Sequence, residues 1–161
     1  MSQGQYPQRQ SLKKDGGAPQ HAISAVDQFI KDIKSKPFTD DEVMRGSEKL
    51  AQSFLGIKGD AKNSITQVRK FYNQVQVIKR QAQAEQNFDI IKPKIRLLQA
   101  QAAYSIARGL LSHDFKRFFD AAAEKIVQEG KDSLDKFTEL FQAVYAYFYY
   151  HNSEEKEERR A

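Results

Sequence analysis

The sequence predicts an all-α fold: a compact bundle of five to six helices with a disordered N-terminal arm. Three observations carry this reading. From residue 21 to residue 152 the apolar positions recur at helical spacing. The chain offers no alternating β-branched run and no Asn-Gly hairpin signal. Pro37, Gly56, Pro93 and Gly130 fall between the periodic segments, where helices should stop or start.

At 161 residues the chain amounts to a single domain with tails. Residues 1–20 are rich in Gln, Gly, Lys and Pro and offer almost nothing to bury, hence the disordered arm. A first helix is expected over about 22–35, with Ile23, Val26, Ile30 and Ile33 on one face. Pro37 ends it. Thr39 with Glu42 forms a capping-box pattern that opens a second helix over about 40–55, burying Val43, Leu50, Ala51 and Phe54. Gly56 stops it, and the loop GIKGDAK follows.

Ser64 and Gln67 repeat the capping-box pattern at the start of a long third helix reaching about Asn87. Its residues Ile65, Val68, Phe71, Tyr72, Val75, Ile78 and Ala82 share an arc of about 140° at 100° per residue. Pro93, tolerated in a first turn, starts a fourth helix to about Leu111. That helix is apolar nearly all round, which predicts a central, mostly buried position. Asp114 starts a fifth, burying Phe115, Phe118, Phe119, Ala122 and Ile126, until Gly130 breaks it. A sixth, over about 132–151, buries Leu134, Phe137, Leu140, Phe141, Val144 and Phe148. The domain thus spans 21–152, and SEEKEERRA at 153–161 is a charged tail or frayed helix end.

Several function classes drop out. There is no cysteine, so disulfide scaffolds, thiolate metal sites and cysteine nucleophiles are excluded. No window approaches the roughly 18 apolar residues of a membrane span, and the N-terminus has no signal-peptide core. A cytoplasmic protein with no membrane contact is expected. His21, His113 and His151 are scattered along the chain and are expected to be cap or surface residues. Asp40, Asp41 and Glu42 sit in a first helical turn, where acids complement the helix dipole. No catalytic residue, metal site or cofactor is expected.

The charge is unevenly placed. Residues 1–57 hold 8 basic and 7 acidic side chains, net +1; residues 58–108 hold 10 and 3, net +7; residues 109–161 hold 8 and 11, net −3. Within the basic third, the three acids Asp60, Glu85 and Asp89 are split between the two ends of the third helix, about 30 Å apart, too far to share a metal. Beside the apolar arc of that helix runs a stripe of Arg69, Asn73, Gln76 and Arg80, within about 60° and spanning about 16 Å. A surface helix normally mixes signs for i,i+4 support. This one suits either a merely solvated face or a row of phosphates and 2′-hydroxyls. On the fourth helix Lys94, Gln101, Ser105 and Arg108 form a second polar seam, where Arg108 either pairs with Asp114 or Asp120 or faces a groove.

These stretches also carry a family resemblance. The run S-I-T-Q-V-R-K-F-Y-N at 64–73 resembles the small-subunit family of type III-A CRISPR effector complexes, the Csm small subunit. The run P-K-I-R-L-L-Q-A-Q-A-A-Y-S-I-A-R at 93–108 is similar to a second helix of that family, with Tyr104 and Arg108 matching its Tyr and Arg. F-T-E-L-F-Q-A-V-Y-A-Y at 137–147 looks like its C-terminal helix. The related type III-B small subunit lacks the R-K-F-Y stretch. The resemblance implies a non-enzymatic helical subunit. Several neighbouring copies would line a filament built on the guide RNA, facing the guide RNA–target RNA duplex and touching the backbone and large signalling subunits. Carried over by position, Arg69 and Lys70, with Arg108 nearby, become RNA contacts. Gln99 and Gln101 stand where several members have basic residues, and the N-terminal arm has no counterpart. Seams, basic loop residues and resemblance together nominate Lys58, Lys62, Arg69, Lys70, Asn73, Gln76, Arg80, Lys94, Gln101 and Arg108 for RNA binding. The alternative is a helical protein–protein adaptor docking through Tyr145, Tyr147, Tyr149 and Tyr150, with no direct nucleic-acid role.

Overall fold

Phe118 is the hub of the structure. Its ring lies 4.9 Å from Phe29, 5.5 Å from Phe54, 5.8 Å from Phe137 and 5.9 Å from Phe141, centroid to centroid. Rings far apart in the sequence therefore meet at one point, at tilts and edge contacts that suit their quadrupoles. The structure is a computed structural model and describes residues 22–55 and 63–161. The expected arm 1–20, with Lys58, Asp60 and Lys62, lies outside the described residues.

The described residues form α1 (Ala25–Asp32), α2 (Asp41–Arg45), α3 (Ser47–Phe54), α4 (Ile65–Ala84), α5 (Lys92–Ala107), α6 (His113–Glu129) and α7 (Lys131–Arg160), with no strand among them. This is the expected all-α bundle, with the second expected helix divided at Gly46. There the backbone N–H reaches both Glu42 O and Val43 O at 3.1 Å, and the turn tightens.

Local chemistry explains most boundaries, and several differ from the sequence expectation. Ser24 caps α1 by accepting from the Asp27 N–H. The helix thus starts beyond Ile23, which is 60% exposed and not part of the core face. The Thr39–Glu42 capping box does not form. Asp40, one residue on, is the N-cap at φ −57° and ψ 141° and accepts from the Glu42 N–H, while the Glu42 carboxylate pairs with Lys36. The Ser64–Gln67 box is also absent. The Ser64 side chain makes no cap, and its backbone N–H donates 3.0 Å to Leu110 O across the bundle.

The α5 helix ends at Ala107 and not near Leu111, because Gly109 takes a φ of +70° and turns the chain. Ser112 then caps α6 by accepting from the Phe115 N–H, so α6 starts a residue ahead of Asp114. Gly130, at φ +94°, alone separates α6 from α7. From there α7 runs 30 residues and continues through 153–160, beyond the expected end near 151. His151 ties this distal part to α3, with Nε2 3.0 Å from Glu48 Oε1.

Packing agrees with the expected core faces of α4, α6 and α7. Val68, Phe71, Val75, Ile78 and Ala82 are buried, as are Phe115, Phe118, Phe119, Ala122 and Ile126. So are Leu134, Phe137, Leu140, Phe141, Val144 and Phe148. The expectation for α5 is wrong: it is not central. It lies on α6 and α4 at the margin, burying only Ile95, Leu98, Ala102 and Ser105. Leu97 is 58% and Tyr104 64% exposed. Periodicity cannot separate a buried helix from one that shows apolar side chains to a surface.

Candidate nucleic-acid interface

α4 and α5 run antiparallel side by side, stapled by two side-chain bonds. Gln74 Nε2 donates to Gln101 Oε1 at 3.0 Å, and Lys94 Nζ donates to Gln81 Oε1 at 2.7 Å. The bonds bring the α5 seam, apart from the buried Ser105, against the Gln74–Gln81 flank of α4, beside the stripe read from the sequence. On α4 the structure exposes Arg69, Lys70, Asn73 and Arg80 and half-buries Gln76. On α5 it exposes Lys94 and Arg108 and half-buries Gln101. Lys58 and Lys62 lie outside the described residues. Thr66, Arg69, Lys70, Asn73, Gln74 and Val77 line a shallow groove along α4.

The electrostatics of this face differ from the rest of the surface. Neither α4 nor α5 contains an acidic residue. Arg69, Lys70, Arg80, Lys94 and Arg108 meet no carboxylate of the described residues. Elsewhere cations are commonly neutralised: Arg96 by Glu124, Arg117 by Asp27 and Asp114, Lys116 by Asp120, Lys125 by Glu129 and Lys136 by Asp132. These pairs also answer the two alternatives for Arg108. Asp114 serves Arg117 and Asp120 serves Lys116, so neither pairs with Arg108. Its guanidinium carbon sits 5.6 Å from the centroid of the Tyr104 ring, in cation–π contact.

Arg69 is held differently. Its Nε–H donates 2.9 Å to the Tyr145 hydroxyl on α7. That bond holds the guanidinium pKa above its ordinary value. The Tyr145 ring is stacked on Tyr72 at 4.9 Å and 12°, and Tyr72 meets the buried Phe141 edge-on at 5.7 Å. Sequence reasoning missed Tyr145 as part of this face because its partner is 76 residues away. Tyr104 carried a local signal, an i,i+4 pairing with Arg108.

Chemically, the face can offer cationic and amide donors to an extended anion, with Leu97 and Tyr104 as apolar ground beside them. The described residues hold no cluster of three His, Asp or Glu able to seat a metal ion. Of the carboxylates flanking the face, Asp89 pairs with Lys92 at 2.6 Å and Glu85 accepts from the Asn87 N–H.

A family model described as Csm2 Type III-A matches residues 39–154, more than half of the chain. The match takes in α2 to α6 and most of α7. No curated protein and no solved structure matches the chain.

Proposed function

The chain belongs to the Csm2 family, the small subunit of type III-A CRISPR complexes, and on that premise we propose that it lines the guide RNA–target RNA duplex as a non-catalytic structural subunit supporting antiviral defence. The observation that carries this is the face of α4 and α5: Arg69, Lys70, Arg80, Lys94 and, at the end of α5, Arg108 meet no carboxylate among the described residues, and neither helix contains an acid. A merely solvated face would gain from i,i+4 pairs, as α2, α6 and α7 do with Arg45–Asp41, Lys116–Asp120 and Lys136–Asp132. Leaving these cations unpaired keeps them available for phosphates, whose displaced counterions drive binding.

In this reading Arg69, Lys70, Arg80, Lys94 and Arg108 meet phosphates, and Asn73 and Gln76 meet sugar hydroxyls. Gln101 and Gln74 hold the two helices in register. Sequence is read by base pairing between the RNAs, so the subunit needs only backbone contacts. Partners are the guide and target RNA, the backbone and large signalling subunits, and neighbouring copies of the chain. No helix among the described residues is long and apolar enough to cross a membrane, which accords with a cytoplasmic ribonucleoprotein. A second reading, an adaptor docking through α7, draws on the exposure of Tyr147, Tyr149 and Tyr150.

The test is RNA binding by the full chain across a salt series. Weak, sequence-independent binding with a linear fall of log K against log salt is expected. A flat line would overturn the RNA reading in favour of the adaptor, and tight binding to one sequence alone would overturn recognition through the backbone. Incubation with labelled RNA and Mg²⁺ or Mn²⁺ should leave the RNA intact. Cleavage abolished by changing the chain's own acids would overturn the non-catalytic assignment.

A further inference from the structure

We infer that Tyr145 is a positioning residue of the RNA face: its hydroxyl, supplied by α7, fixes Arg69 of α4 in the orientation that meets a phosphate. This rests on the reading of the α4–α5 face as the RNA surface. An arginine side chain is long and freely rotating, and an exposed one must be ordered when it binds. Arg69 is exposed, yet its Nε–H is engaged at 2.9 Å. A guanidinium has five N–H donors in a rigid planar fork. With Nε–H turned to Tyr145, the four remaining N–H bonds lie on the terminal nitrogens, and no carboxylate of the described residues takes them. Two of them, side by side, match two phosphate oxygens.

The anchor is itself anchored. Tyr145 stacks on Tyr72, and Tyr72 packs edge-on against Phe141, which is fully buried. A line of rings thus runs from the core to the guanidinium. The neutral hydroxyl holds Arg69 without cancelling its charge, as a carboxylate would. Arg96 shows the contrast: Glu124 holds it by an ion pair, which would weaken its pull on an anion.

Tyr145→Phe tests this, since it keeps the ring and removes only the oxygen. In the ¹⁵N-labelled full chain, the Arg69 Nε–H resonance should be resolved and slow to exchange, and should broaden in the variant. Affinity for a short labelled RNA duplex should fall about three- to tenfold at fixed salt. The salt slope should stay unchanged, because the charge remains. Arg69→Lys, which keeps the charge but lacks Nε, should behave alike. Arg69→Ala should lower the magnitude of the slope by roughly 0.7–0.9, and adding Tyr145→Phe to it should cost nothing more.

Unchanged affinity in Tyr145→Phe beside a binding wild type overturns the positioning role alone. A further loss in the Arg69→Ala background overturns it too, by showing that Tyr145 contacts RNA itself. A loss of affinity that tracks a fall in melting temperature assigns Tyr145 to the fold instead. Failure of the wild type to bind RNA overturns the functional reading and this inference with it.

Discussion

Asn63 and Ser112 exchange two hydrogen bonds across the bundle: the Asn63 amide donates to Ser112 Oγ at 2.8 Å, and the Ser112 N–H donates to Asn63 Oδ1 at 2.8 Å. The same amide donates 2.8 Å to Phe54 O. One buried side chain therefore joins the end of α3, the start of α4 and the cap of α6. Asn63→Ala leaves the Phe54 carbonyl and the Ser112 N–H without these partners. Buried groups left unpaired cost about 1–3 kcal/mol each, so a loss of about 2–4 kcal/mol is expected in urea unfolding. A change below about 0.5 kcal/mol, the range of an ordinary surface substitution, would show that water replaces the latch at no cost.

Phe118→Ala removes the hub of five ring contacts at a fully buried position. A loss of about 3–5 kcal/mol is expected, from lost transfer energy and the cavity left behind. Chemical denaturation measures it. Phe118→Leu should recover part of the loss, since it fills part of the volume.

The unpaired cations should act differently from the paired ones. Arg80→Ala should lower RNA affinity and reduce the salt slope by roughly 0.7–0.9, with stability changed by no more than about 0.5 kcal/mol. Arg96→Ala removes a cation already committed to Glu124 and should leave the slope nearly unchanged. Equal effects from the two variants would show that binding follows net charge and not the α4–α5 face.

Acid stability should depend on Asp27. The hydrogen bond from Arg117, followed by that from Ser24, holds its carboxyl below the ordinary range. A folded pKa below the unfolded one gives stability that is present above the unfolded value and lost as pH falls through the folded one. Glu124 is lowered in the same way, first by its bond to Arg96. Melting temperature should therefore fall as pH drops below about 4, and the fall should be shallower in Asp27→Asn. Parallel curves for the two proteins would rule out a contribution from this pair.

What the sequence made legible was the part governed by local periodicity. The core faces of α4, α6 and α7 follow from apolar residues three and four apart, and Gly130 ends α6 where expected. The caps were less legible, because Thr39 and Asp40 are both competent and only the backbone conformation chooses. The environment of α5 was not legible, since Leu97 and Tyr104 look like core residues on a wheel yet face outward. The stripe on α4 could be read from spacing alone. Its union with the α5 seam, and the tie from Arg69 to Tyr145, depend on contacts between distant residues.

α3 packs chiefly against α7, the last helix among the described residues. During synthesis this sets an order of events. Leu50, Ala51 and Phe54 leave the ribosome long before the 30 residues of α7 exist to cover them. Their apolar surface therefore stays open until α7 has been made and can fold back onto α3. A chain truncated within α7 would lose its largest partner for α3 and leave a sticky, unfinished bundle.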